Sequence, residues 1–253
     1  MSADPLIPIC SGRAAGAADA APLPQGVRGV LFDMCNVLYD DTVWRRWVLQ
    51  LLTHMGLHTN YRCFFRVWDR EYLDDVHRGA RDFCDAFGSF LRSSGLSRGQ
   101  IDEVQAACQG RRRHLEANAR PLPGVKTTLG RLHAAGFVLG VISNSLYPAS
   151  VLTERLGRFA AGKLFSTVVS SIDLKRTMPD AVCYHAALKA MNLSAGQVAF
   201  VGHDPAELAG AAAVGMATIA FNYDPDARAD VYLARFDELP EMIPAARPVA
   251  AAG

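Results

Sequence analysis

Gly29-Val30-Leu31-Phe32-Asp33-Met34-Cys35-Asn36-Val37-Leu38 is the stretch on which the reading of this chain turns. Its opening residues are apolar without a break, and the run stops at a carboxylate. A short apolar run bounded in this way predicts a strand buried on both faces. Asp33 then stands where the chain leaves that strand.

Working outward, the period changes at once. Val43, Trp47, Leu51 and Met55 recur at four-residue spacing and predict one face of a helix. Further helices are predicted over 61–76, 81–93 and 98–118, with breaks near Gly79 and Gly95. After Pro121-Leu122-Pro123-Gly124 the two periods alternate. Helices are predicted over 125–135, 149–156, 180–191 and 207–214, and strands over 137–142, 167–170, 198–201 and 217–221. Strands alternating with helices imply right-handed crossovers and a parallel sheet covered on both faces. The expected fold is therefore α/β: a Rossmann-like, doubly wound parallel sheet carrying an inserted α-helical cap. Residues 27–40 and 119–243 form the expected core and 41–118 the cap. The ends, 1–26 and 244–253, are rich in small residues without periodicity and are expected to be loose tails.

Composition narrows the function. Lys and Arg total 26 against 25 Asp and Glu, a formal charge of +1, so there is no electrostatic footprint for nucleic acid or an anionic membrane. The expected partner is a small-molecule substrate, and no signature of an oligomeric state stands out. Six scattered cysteines without a Cys-x-x-Cys pair read mostly as reduced core thiols, which points to the cytoplasm. The apolar run from Leu6 to Cys10 is shorter than the core of a signal peptide, and no stretch reaches the roughly 18–20 apolar residues of a membrane span.

In open parallel sheets, ligands sit beyond the carboxyl ends of the strands. Four such ends deliver polar residues: Asp33; Ser143 and Asn144; Asp173 with Lys175 and Arg176; and His203 with Asp204. In order and spacing these motifs resemble the haloacid dehalogenase superfamily of hydrolases over about 27–240, together with the Leu122-Pro123-Gly124 re-entry, Gly210-Ala211 and the stretch ending at Met216. The resemblance implies that Asp33 is the nucleophile of an aspartyl-enzyme intermediate. It implies that Ser143 donates to the oxygens of the transferring group, with Asn144 as a further preorganised donor.

The departures are as informative. Cys35 stands where phosphatases of this family carry a second Asp as general acid and base, a contribution of about 10²–10⁴ in rate. Met178 stands where the family has a Lys, with Lys175 and Arg176 a few residues upstream as alternative cations. His203 takes the place of the first acid of the last motif; Asp204 follows it, and Leu208 occupies the later acid slot with Glu207 alongside. A divalent metal, Mg²⁺ first, is expected on Asp33, the Cys35 backbone carbonyl and Asp204, and an inward His203 would shift the choice towards Mn²⁺, iron or zinc. At the cap entry, near Tyr39 and Trp44, Arg45 is placed to meet an anionic substrate. The expected activity is hydrolysis of a small phosphorylated metabolite with a good leaving group, His203 serving as the unusual acid. The alternatives are a metal-independent dehalogenase-like hydrolase and a binding protein that kept the fold without the chemistry.

Overall fold

The computed structural model describes residues 22–244, apart from Pro24, Asp41, Asn118 and 159–161. The expected tails therefore lie mostly outside the described residues, as does Cys10. Of the first tail, Leu23 is buried, and its N–H donates to the Met242 carbonyl at 2.8 Å.

Strand β1 is Gly29–Asp33, and five helices follow: α1 (Thr42–His54), α2 (Tyr61–Trp68), α3 (Asp74–His77), α4 (Phe83–Ser93) and α5 (Arg98–Ala117). A π turn, Asp69–Leu73, joins α2 to α3. The alternating half comprises α6 (Val125–Ala134), β2 (Val138–Ser143), α7 (Ala149–Arg158), β3 (Phe165–Ser170), α8 (Ser171–Leu174) and α9 (Ala181–Met191). It ends with β4 (Val198–Gly202), α10 (Pro205–Ala213), β5 (Ala217–Phe221), β6 (Val231–Leu233) and α11 (Leu239–Met242). The strands form one sheet in the order β3-β2-β1-β4-β5-β6, with every pairing parallel. The strand order reverses between β1 and β4, and a crevice opens beyond the carboxyl ends at such a switch point.

Period-2 alternation explains why β1 reads as a continuous apolar run. Val30 and Phe32 enter one layer with Val141 and Val201, while Leu31 enters the other with Ile142 and Phe200. Both layers are dry, so no position is left for a polar residue until Asp33.

The helical insertion has a core of its own. Trp68 is fully buried, with the rings of Phe87, Phe90 and Phe83 at 5.3, 5.5 and 5.7 Å from it. In α1 the buried face is rotated from the one expected. It runs through Trp44, Val48 and Leu52, while Val43 is 45% exposed; Trp47, Leu51 and Met55 pack on its flank. The cause is that α1 begins only at Thr42 and turns its second residue to solvent. Two hydrogen bonds tie the insertion to the sheet layer: Ser171 Oγ donates to the His77 carbonyl at 2.8 Å, and Thr177 Oγ1 to Asp74 Oδ1 at 2.5 Å. Strand β6 and helix α8, of three and four residues, were not expected, being too short to show a period.

Helix α10 approaches the segment before α9 through Gly210. A Cβ there would lie 2.7 Å from Pro179 Cβ, 2.8 Å from the Tyr184 hydroxyl and 2.9 Å from the Pro179 carbonyl oxygen. The last of these is backbone and cannot swing away. Gly210→Ala is therefore expected to destabilise the protein by about 1–3 kcal/mol through overpacking. Urea unfolding of both proteins checks this, and an unchanged midpoint would contradict it.

Candidate active site

Asp33 emerges at the carboxyl end of the central strand and is 4% exposed. Its Oδ1 accepts the N–H of Met34 at 2.6 Å. Its Oδ2 faces Nε2 of His203, 3.5 Å away, delivered by the neighbouring strand end of β4. When protonated, that imidazole forms an ion pair with Asp33. Asp204 does different work. It caps α10, its Oδ1 accepting the N–H groups of Ala206 and Glu207 at 2.8 and 3.0 Å, with Pro205 at the first helical position.

Glu207 lies in the first turn of that helix, and Asn144 holds it. The Asn144 amide nitrogen donates to Glu207 Oε1 at 2.9 Å and to the Met178 carbonyl at 3.1 Å, while its oxygen accepts the Met178 N–H at 2.8 Å. Glu207 Oε2 is buried with no hydrogen-bond partner among the described residues. Burial holds the Glu207 carboxyl well above its ordinary value of 4.5; the negative charges of Asp33 and Asp204 add to this, and the Asn144 hydrogen bond opposes it. Asp224 is also pushed up by burial, with His203 opposing.

Above these groups is a cavity of about 1020 Å³ between the strand ends and the helical insertion. Asp33, Met178 and Glu207 line it from below, and Trp44, Trp68 and His77 from the insertion. Burial first, and the Arg45 charge second, push the His77 imidazole down to about 4, so it is a neutral wall at pH 7.

Several expected site residues fall elsewhere. Asn144 is not positioned to donate to a substrate, because both amide hydrogens are already engaged. Ser143 reaches the right edge but is buried, and among the described residues it is Asn144 and Ser145 that line the cavity. Arg45 lines the cavity, yet its guanidinium makes a two-bond fork with Asp69 at 2.8 and 2.9 Å. Lys175 and Arg176 are not among the described lining residues. Lys175 adopts a left-handed conformation (φ 57°) after α8 with its Nζ near Gly79, and exposed Arg176 lies 3.8 Å from Asp180. The expected metal set of Asp33, the Cys35 carbonyl, Asp204 and His203 is not assembled either. Among the described residues no three His, Cys, Asp or Glu side chains gather as ligands, since Asp204 serves its helix and His203 stands against Asp33. Cys35 Sγ lies 3.2 Å from the Tyr39 hydroxyl. Of the described cysteines, Cys108 and Cys183 are buried, whereas Cys63 is exposed.

The residue that sequence reasoning placed too far along is the acid of the last motif. Leu208 is wholly buried in the apolar layer, and Glu207 faces the cavity. The signal was available in its offset of four residues from His203, one helical turn once Pro205 is taken as the helix start. His77, Tyr147 and Asp224 reach the cavity from distant parts of the chain and carried no such signal.

The sequence profile of the haloacid dehalogenase-like hydrolases matches residues 27–215. A phosphoglycolate phosphatase of Yersinia pseudotuberculosis is 24% identical over 200 residues, covering 79% of this chain and 82% of that protein. A phosphoglycolate phosphatase of Vibrio cholerae is 30% identical over 101 residues, 40% of this chain and 44% of that protein, so that match spans less than half of the relative. The crystal structure of a dehalogenase superposes with a TM-score of 0.65 at 20% identity, covering 89% of this chain and all (100%) of the other. Among the described residues no helix is long and apolar enough to cross a membrane.

The raised Glu207 carboxyl has a consequence for stability. The folded protein binds a proton there that the unfolded chain has released, so stability is highest below about pH 4.5 and is lost as pH rises towards the folded value. The slope contributed is at most about 1.4 kcal/mol per pH unit. Glu207→Gln removes it, so in chelator-treated buffer the variant should gain on the parent between pH 5 and pH 8. A constant difference in unfolding free energy across that range would refute the assignment.

Proposed function

The chain belongs to the haloacid dehalogenase-like hydrolases, and on that premise we propose that it works through an aspartyl-enzyme intermediate at Asp33. The substrate proposed is a small phosphorylated metabolite with a good leaving group. The observation that carries the reading is the approach of His203 Nε2 to within 3.5 Å of Asp33 Oδ2 beneath a cavity large enough for such a molecule. With Oδ1 held by Met34, Oδ2 attacks phosphorus, and the bond from phosphorus to the leaving oxygen breaks. The departing oxygen takes the proton from Nε2 of protonated His203. Water then attacks the acyl phosphate while neutral His203 receives its proton, releasing inorganic phosphate and restoring Asp33. His203 thus covers the acid–base role for which Cys35 is unsuited. No step is routed through a metal ion, because the described side chains do not gather the oxygen ligands that Mg²⁺ asks for.

A second reading rests on the charges around Asp33. Glu207, Asp204 and Asp224 all line the same cavity, and Met178 adds no cation, so a dianionic phosphate meets repulsion that a low-dielectric site magnifies. A carbon electrophile bearing a halogen escapes much of this. Attack by Oδ2 on that carbon forms an aspartyl ester, and the halide leaves with the bonding electrons and needs no acid.

Asp33→Asn should abolish turnover under either reading while leaving the circular dichroism spectrum unchanged. His203→Gln separates them. It should slow release of phosphate by about 10²–10⁴ where the leaving group needs a proton, and should leave halide departure nearly unaffected. A panel of phosphate esters, acyl phosphates and 2-haloacids, read by phosphate and halide release, applies the test. Turnover that survives Asp33→Asn would remove Asp33 as nucleophile; no turnover of any member would favour a binding protein that kept the fold.

A further inference from the structure

The cavity is chemically two-ended. Carboxylates gather at the strand ends, whereas guanidinium groups collect around Tyr147, where Arg112 and Arg155 both line the wall. Tyr147 is a fixed platform. Its N–H donates to Ser145 Oγ at 3.1 Å, and its carbonyl accepts from Ser170 Oγ at 2.7 Å, which fastens it to the ends of β2 and β3. Arg155, from α7, places its guanidinium carbon 3.9 Å from the centre of that ring. Arg112, from α5 of the insertion, lies 5.8 Å from the same centre and 4.5 Å from that of Phe83. Two cations are thus held within 6 Å of one ring centre, from opposite layers of the protein.

A guanidinium laid on an aromatic face is oriented by that contact, while its N–H donors project from its edge, in the plane that matches a carboxylate or phosphate. From this arrangement, and resting on the hydrolase reading above, we infer that Arg112, Arg155 and Tyr147 form a second anion subsite. It receives a carboxylate or phosphate at the far end of the substrate from the group attacked by Asp33. The substrate class is a small metabolite anionic at both ends, and its remote charge bridges the insertion and the sheet layer. Size supports this, because about 1020 Å³ far exceeds the space needed for a lone phosphate group. The remote anion also places attraction where the strand ends supply only negative charge.

The test compares two esters with similar leaving groups that differ in remote charge: para-carboxyphenyl phosphate and para-carbamoylphenyl phosphate. The parent protein should favour the carboxylate by about tenfold or more in kcat/KM, as for one charge-assisted contact. Arg155→Gln and Arg112→Gln should each erase most of that preference through KM, with kcat for the carbamoyl ester within about twofold of the parent. A binding measurement without turnover runs alongside it. Titration calorimetry of Asp33→Asn with para-carboxybenzyl and para-carbamoylbenzyl phosphonate should show the carboxylate binding more tightly, and Arg155→Gln on that background should level the two. If neither ester turns over but the phosphonates differ as stated, the subsite stands and the catalytic reading falls. If the carboxylate phosphonate binds no better than its partner, including no binding by either, the subsite is overturned. A preference that survives Arg112→Gln combined with Arg155→Gln overturns it as well.

Discussion

The side-chain amide of Asn144 is the tie that the candidate site hangs on. From the end of β2 it grips the Met178 backbone in both directions and holds one oxygen of Glu207, so three separate chain segments are fixed to one another by a single planar group. Removing such a buried amide leaves partners on two segments unsatisfied, which costs more than a hydrogen bond contributes when formed. The tie also decides charge. By keeping Glu207 turned into the site beside Asp33 and Asp204, it concentrates acids in a dry place, and the Glu207 carboxyl responds by favouring its protonated form.

That concentration explains why His203 matters more than its exposure suggests. Its imidazole stands 3.5 Å from Asp33, at a strand end where the family resemblance implies a further acid. The substitution replaces an anion with a group that carries a proton or a positive charge near neutral pH. A site that has Met178 in place of a lysine and Cys35 in place of an acid therefore keeps one residue capable of both offsetting charge and moving a proton. The consequence falls on substrate choice. Leaving groups that need little help are favoured, and attraction must come from elsewhere in the cavity.

The architecture supplies that elsewhere. The insertion closes over the strand ends with an aromatic core centred on Trp68, and it touches the sheet layer through Ser171–His77 and Thr177–Asp74. Basic residues that are unremarkable along the chain, such as Arg112 and Arg155, come to share one tyrosine because α5 and α7 meet across the cavity. Arg45, the more conspicuous candidate, is instead consumed by Asp69.

The sequence by itself determined the fold class, the position of the nucleophile candidate and the convergence of four strand ends. These follow from short-range facts: an apolar run that leaves no room for a polar group before Asp33, and a period that alternates after the insertion. Boundaries of long helices were also legible, because periodicity accumulates over several turns. Strand β6 and helix α8 lacked the length to show one, and the face of α1 was misjudged because its start lay one residue from where the pattern placed it. The tertiary structure alone decided which polar side chains meet. A residue's type states what it can donate or accept, but its partner is chosen by packing across the chain. Hence Asn144 became a tie rather than a donor, Lys175 and Arg176 turned away, Asp204 capped a helix, and Glu207 instead of its neighbour Leu208 faced the cavity.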